Sequence, residues 1–326
     1  MTRRQLLSAF AAVAQPRQNV IMTVRGPVSP GELGLMLPHE HVMSNFGGDA
    51  AEPATYDERK LLATVVPYLK SLRAKGCRSL ADCTTAYFGR RVDLLARISK
   101  ESGVAILTNT GYYGTANDRY VPAHARTETA DQIARRWVSE WKDGIGGTGI
   151  RPGFIKLGVD PGPLSGIDRK LIQAGARTHL ETGLVMAVHT GDNAGAAREQ
   201  LALLRSEGVS PSAWIWVHAH ACKDEAALAE AATAGGWTSF DGLGSATVDR
   251  HLALVNGMKR RKLLGRVLLS HDGNSFRYGG SEPRPYEALF TEFLPGLRQA
   301  GYLPSEITAL TVRNPANAFT TGVRKG

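Results

Sequence analysis

A chain of 326 residues, 43% hydrophobic and 21% charged, has the length for one large barrel or two modest domains with proper cores. No apolar run approaches the ~20 residues needed to cross a bilayer, so membrane insertion is not expected, and three cysteines with no Cys-x-x-Cys pair argue against both a disulfide framework and a thiolate zinc site. The net charge of +9 comes from basic residues scattered through predicted helices, without RNP-like, zinc-finger or helix-turn-helix patterns, so no nucleic-acid partner is expected.

The amino terminus reads "MTRRQLLSAFAAVAQ", with a twin arginine at Arg3 and Arg4, a short apolar stretch over 6–13 and Ala12-Val13-Ala14 as a small-residue cleavage site. Residues 1–14 resemble a short twin-arginine export signal, which predicts a periplasmic or exported protein; without such a signal the protein would be cytoplasmic. A strand pair over 20–28 turns through "SPGELG" into the first strand of a longer β/α series and is placed to cover one end of it.

From residue 35 onward, short apolar runs rich in β-formers alternate with amphipathic helical stretches. Eight strands are predicted at 35–41, 78–83, 104–110, 153–157, 184–189, 213–218, 237–241 and 266–271. Between them lie helices such as 59–75, 91–101, 128–142, 168–181 and 225–234, and a final helix over 304–319 with Ser305 as its N-cap. Eight β/α units fit an α/β fold of the (β/α)8 TIM-barrel type better than an open doubly wound sheet, as one domain over 20–322. "GIGGTG" (144–149) follows a helix and precedes a strand, the reverse of a dinucleotide fingerprint, and reads as a connector. The run Lys259-Arg260-Arg261-Lys262 closes a helix, where cations suit the macrodipole.

Chemistry collects at the strand ends. In "LPHEH", His39 and His41 are two apart on one strand and therefore share a face. Lys156 lies in "GFIKLG" on the fourth strand, His189 ends the fifth in "MAVHTG", His218 ends the sixth in "WIWVHAH", and Asp272 follows the eighth in "LLSHDG". All would converge on the C-terminal rim, where barrel enzymes place their sites. Four imidazoles and a carboxylate suit two zinc-like divalent ions. A lysine driven neutral beside such ions can take up carbon dioxide as a carbamate that bridges them.

Together, "PHEH", "FIKLG", "AVHTG", "WVHAH" and "LLSHDGN" resemble the phosphotriesterase family of the amidohydrolase superfamily, including its lactonases, over about residues 20–320. The resemblance implies that His39, His41 and Asp272 hold one ion and His189 and His218 the other, with carboxylated Lys156 and a hydroxide bridging them. It further implies attack of that hydroxide on an ester-type centre, Asp272 as proton acceptor or relay, a small-molecule substrate and a homodimer. No Gly-x-Ser-x-Gly elbow points to a serine nucleophile instead.

Two positions depart from the family pattern. His220 follows His218 where those enzymes carry a different segment, and stands either beside the ligands or as an ordinary loop residue. Asp241 is followed by Gly242, where those enzymes have a proton-relaying histidine. The expected substrate is therefore a lactone or carboxylic ester, with phosphotriester hydrolysis second, amide hydrolysis compatible with the ligands, and a non-catalytic exported metal-binding protein as the alternative of another class. Tyr112 and Tyr113, Asp118 and Arg119 in "GTANDRYVP", and the rim "RYGGSEPRP" are candidates to orient substrate. His124, His179 and His251 match no ligand position and are expected on the surface or in helices.

Overall fold

The computed structural model describes residues 19–277, 279 and 283–326. The expected export signal, residues 1–14, lies outside the described residues, as do Tyr278 and residues 280–282 of the rim. Among the described residues no helix is long and apolar enough to cross a membrane.

Eight parallel strands run in chain order around a barrel: Met36–Glu40, Ser79–Asp82, Ala105–Leu107 continued by Asn109–Thr110, Phe154–Gly158, Met186–His189, Trp214–Val217, Trp237–Phe240 and Val267–Leu269. The ladder is interrupted between the eighth strand and the first, and the seam there is closed by other bonds. His39 N–H donates to Ser270 Oγ (3.0 Å), Asp272 N–H to His39 O (3.2 Å) and His41 N–H to Gly273 O (2.9 Å).

Glu40, fully buried, locks this seam. Its Oε1 accepts from Ser270 Oγ (2.8 Å) and His271 Nδ1 (2.7 Å), and its Oε2 accepts from Gly273 N–H (2.7 Å). His271 Nε2 in turn accepts from Leu289 N–H at 3.0 Å, so the imidazole is neutral with its proton on Nδ1. The Glu of "PHEH" and the His of "SHDG" are thus the clasp of the barrel.

Strand alternation divides the apolar side chains into two layers. Met36, Ala81, Leu107, Phe154, Ala187, Ile215 and Leu268 fill the barrel interior. Leu37, Leu80, Ile106, Ile155, Met186, Trp214 and Trp216 face the helices. The hairpin Ile21–Thr23 and Gly26–Val28 pairs antiparallel, and Ile21 joins Phe154 and Phe319 in the interior core at the end away from the strand C-termini.

The predicted helices form close to their expected bounds, at Glu58–Ala74, Val92–Ser102, Ala130–Asp143, Gly166–Thr182 and Glu225–Thr233. Side-chain caps from Asp57, Thr129, Ser165 and Asp224 start four of them. The tail differs from expectation. Pro304–Thr308 and Asn314–Phe319 are α-helical, Ala309–Arg313 is a wider π turn, and Leu303 rather than Ser305 is the N-cap. Pro304 occupies the first helical position, which it suits, and Glu306 accepts from Leu303 N–H (2.9 Å) in place of a capping hydroxyl.

Candidate active site

A cavity of about 330 Å³ opens at the C-terminal ends of the strands, and His39, His41, Lys156, His189, His218 and Asp272 all line it. The strands deliver these side chains in three ways. On the fourth and fifth strands, plain alternation suffices: Phe154 and Lys156 point inward, as do Val185, Ala187 and His189. On the first, Met36 points inward and Leu37 outward, so unbroken alternation would turn His39 away; a register shift between Leu37 and Glu40 reverses the parity and brings His39 and His41 inside.

The third way is backbone strain. Ile215 and Val217 point inward, so His218 would leave the barrel; instead it adopts φ +60°, and this left-handed turn aims its ring into the cavity. Asp272 likewise sits at φ +54°. Each such conformation costs a non-glycine residue ~1–3 kcal/mol, and strain of this kind collects at functional sites.

Hydrogen bonds behind the rings set their tautomers. Thr84 Oγ1 donates to Met43 O (2.6 Å), so its oxygen accepts from His41 Nδ1 at 2.8 Å. Asp241, completely buried, accepts from His39 Nδ1 through Oδ2 and from His218 Nδ1 through Oδ1, both at 2.8 Å. Its Oδ2 also accepts from Ser239 Oγ (2.8 Å), and its Oδ1 from His218 N–H (3.1 Å). With protons on Nδ1, His39, His41 and His218 all direct Nε2 to the cavity. His189 Nδ1 meets the Tyr113 hydroxyl at 3.1 Å.

Asp272 Oδ1 lies 3.3 Å from His39 Nε2 and 3.2 Å from His41 Nε2. Although burial works against its charge, His39 is held well above its ordinary range by Asp241 and Asp272, which favours a proton on Nε2 toward Asp272 that a cation would displace. His39, His218 and Asp272 each bring one ligand atom within 4.8 Å of the others, a group that could hold such a cation. Burial holds His41 down to about 4, against the opposing pull of Asp272, and burial with the neighbouring His218 and Lys156 charges keeps His189 well below its ordinary range. Extra protons on His41 and His189 are thus disfavoured. Asp272 stays ionised: burial works against its charge, but the hydrogen bond from His39 outweighs it.

Lys156 is 1% exposed and has no carboxylate within 4 Å among the described residues; its Nζ reaches only Leu157 O at 3.5 Å. Burial lowers its pKa toward the free amine that carbamate formation requires. By donor chemistry the set fits divalent cations: imidazoles, a carboxylate, and an amine able to become an anionic bridge.

A sequence profile of the phosphotriesterase family matches residues 19–319. The chain belongs to the phosphotriesterase family. Its relatives include the phosphotriesterase homology protein of Escherichia coli, 27% identical over 88% of this chain and 98% of that one. The N-acetyltaurine hydrolase of Salmo salar is 26% identical over 92% of this chain and 97% of its own length. Among solved structures, the organophosphorus hydrolase from Deinococcus radiodurans superposes with a TM-score of 0.81 at 28% identity, covering 94% of this chain and 98% of that chain. An organophosphate hydrolase engineered from a weak promiscuous lactonase template gives 0.82 at 28% identity, covering 92% and 99%. The two solved structures share this α/β barrel fold, and the Salmo salar relative and both solved structures are named for hydrolysis.

The two departures from the family pattern meet in space. His220 lies outside the cavity, its Nδ1 3.2 Å from Asp241 Oδ1 and its ring 5.3 Å from that of His251. A Cβ on Gly242 would run into His220 Nε2. An imidazole from the turn Ala219–Ala221 after the sixth strand thus fills the space that a side chain at 242 would enter.

The substrate candidates separate. Tyr113 lines the cavity, stacks on Phe88 with centroids 4.9 Å apart and abuts His189. Tyr112, the next residue, points the other way, into the helix layer against Trp137, with its hydroxyl 3.0 Å from His124 Nε2. Asp118 and Arg119 do not line the cavity either. Arg119 braces Gly47 O and Gly48 O (3.0 and 2.8 Å), and Asp118 faces Arg126 at 3.7 Å. Of the rim, Arg277 and Arg284 reach the cavity.

His179 and His251 sit in helices, as expected, but both are fully buried. The sequence named Asp241 only as the residue before Gly242, and Thr84 not at all. A carboxylate ending a barrel strand signals Asp241; nothing in the sequence marks Thr84.

Proposed function

We propose that this protein is a binuclear metal-dependent hydrolase of ester-type bonds, with lactones or carboxylic esters as substrates. The observation that supports it best is the convergence of His39 Nε2, His41 Nε2 and Asp272 Oδ1 beside a buried, unpaired Lys156. In this reading His39, His41 and Asp272 would hold one ion and His189 and His218 the other, with carboxylated Lys156 as a further anionic ligand. Such ions lower the pKa of water toward ~7 and polarise the oxygen of the bond to be cleaved.

The chain's own groups do the rest. Asp241 and Thr84 hold three rings in the ligating tautomer. Asp272 takes the proton of the attacking water at Oδ2, the oxygen that faces Arg284 at 2.8 Å, and passes it toward the cavity mouth. Phe46 and Phe88 wall the cavity with apolar surface that excludes water from the substrate.

Phosphotriester hydrolysis is the second reading. The missing histidine after Asp241 counted against it, but His220 fills that space, and one structural relative is named an organophosphorus hydrolase. Amide hydrolysis comes third, from relatives named N-acetyltaurine hydrolase. The twin-arginine segment supports export, which fractionation of cells expressing wild type and an Arg3→Lys, Arg4→Lys variant tests.

The deciding experiment is hydrolysis by zinc-reconstituted protein of matched lactones, aryl carboxylic esters, an aryl phosphotriester and an acyl amide, with Asp272→Asn as the blank. Preference for a lactone or carboxylic ester, abolished in the variant, supports the first reading. A dominant phosphotriester or amide rate replaces it with the second or third. No turnover at full metal loading would leave a metal-binding protein without catalysis.

A further inference from the structure

The cavity's charge is one-sided. Lys156, Arg277 and Arg284 line it, and the one carboxylate facing them among the described residues is Asp272, already engaged by His39, His41 and Arg284. Arg284 is committed, donating from Nη2 to Asp272 Oδ2 at 2.8 Å.

Arg277 has no such commitment. No carboxylate lies within 4 Å of its guanidinium among the described residues, and its partner is the face of Phe46, whose ring centroid is 5.4 Å from Cζ. The side chain is half-buried. Its backbone is fixed: Ser44 and Arg277 form a parallel bridge, and Ser44 N–H donates to Phe276 O at 3.0 Å. Arg277 is therefore attached to the extension of the first barrel strand. A partly desolvated guanidinium with no counter-charge among the described residues is favourably met by an anion, and its planar fork matches an oxyanion with two parallel bonds.

We infer that Arg277 selects substrates carrying an oxyanion, such as a carboxylate or sulfonate, on a short arm beyond the bond that is cleaved. Phe46, 51% exposed beside Arg277, and Phe88 give the apolar part of that arm its surface. This rests on the hydrolase reading and narrows it: neutral esters are poorer substrates than anionic ones of the same leaving group.

The test compares 4-nitrophenyl glutarate, with a free carboxylate, and its neutral methyl ester on zinc-loaded protein, with a sulfonate-ended analogue as a third arm. A kcat/KM at least tenfold higher for either anionic ester, carried mainly by KM, is expected. That ratio should fall toward one in Arg277→Ala and in the milder Arg277→Gln, and persist in Arg119→Ala, whose arginine lies outside the cavity. A ratio near one in wild type, or one unchanged in both Arg277 variants, overturns the inference. If no ester is hydrolysed, the hydrolase reading has failed, and glutarate titrated into chelator-treated protein decides about the arginine. Binding weakened at least fivefold by Arg277→Gln then supports the anion site; equal binding, or none, overturns it.

Discussion

Asp241→Asn preserves shape and removes one acceptor, and the surrounding bonds dictate which ring suffers. The carboxylate accepts from His39 Nδ1 and Ser239 Oγ on Oδ2, and from His218 Nδ1 and His218 N–H on Oδ1. An asparagine offers one oxygen and one NH2. The backbone N–H of His218 can only donate, whereas the Ser239 hydroxyl can turn and accept, so the oxygen goes to His218 and the NH2 to His39. His39 must then accept at Nδ1 and carry its proton on Nε2, directed at Asp272. One ligand to one ion is lost while the other ion keeps both histidines. Mutations behind a metal ligand weaken binding ~10–100-fold, which is about 1.4–2.7 kcal/mol. Zinc per chain after equilibration with graded chelator should fall from two to one at a chelator level that leaves wild type loaded. Long-range 15N–1H spectra of the chelator-treated protein should show His39 Nδ1 without the proton that it carries in wild type. Two tightly held ions in the variant, with His39 unchanged, would refute the reasoning.

Other perturbations test separate parts of the structure. Gly242→Ala should cost ~1–3 kcal/mol by driving its Cβ into His220, and much of that loss should return when His220→Ala is added, as a double-mutant cycle of denaturant midpoints will show. Tyr113→Phe removes the partner of His189 Nδ1 and should lower kcat several-fold, whereas Tyr112→Phe, outside the cavity, should leave steady-state turnover unchanged. Arg90, 3% exposed, pairs with Glu140 (2.8 Å) and Glu52 (3.4 Å); Arg90→Met strands two carboxylates and should destabilise by about 3 kcal/mol, the low end for a buried pair because each keeps 24% exposure. His179 is held below its ordinary range by burial, with the Arg324 charge adding to it and the Leu184 carbonyl opposing. Above pH ~6.5 it is neutral folded or unfolded and its contribution is complete. As pH falls from there toward the lowered folded value, the unfolded chain alone takes up the proton and stability is lost, by up to ~1.4 kcal/mol per pH unit. Denaturant midpoints between pH 7.5 and 5.5 should therefore fall less steeply for His179→Asn than for wild type.

The eight strands and most helices were legible because alternation and amphipathic spacing are local properties, and the site candidates at strand ends followed from them. Lys156 and His189 needed nothing more, since their strands alternate without a break from Phe154 and Val185. His39 and His218 reach the cavity for reasons the sequence does not carry: a register shift in the first strand, and a left-handed residue where no glycine announces one. Tyr112 and Tyr113 were read together because adjacency in sequence does not say which of two rings faces the cavity. Gly242 looked like a vacancy for the same reason, since His220, which fills the space, comes from the turn after another strand. Glu40 and His271 sit within the recognisable motifs, yet their part is structural, joining the first strand to the eighth.

The central claim is that the cavity is built to hold two metal ions, and anomalous diffraction at the zinc edge from crystals of zinc-reconstituted protein tests it most directly. Two peaks ~3.5–4 Å apart, one against His39, His41 and Asp272 and one against His189 and His218, with added density on Lys156 Nζ between them, are the predicted result. No anomalous peak in the cavity, or a single ion with Lys156 unmodified and apart from it, would contradict the account.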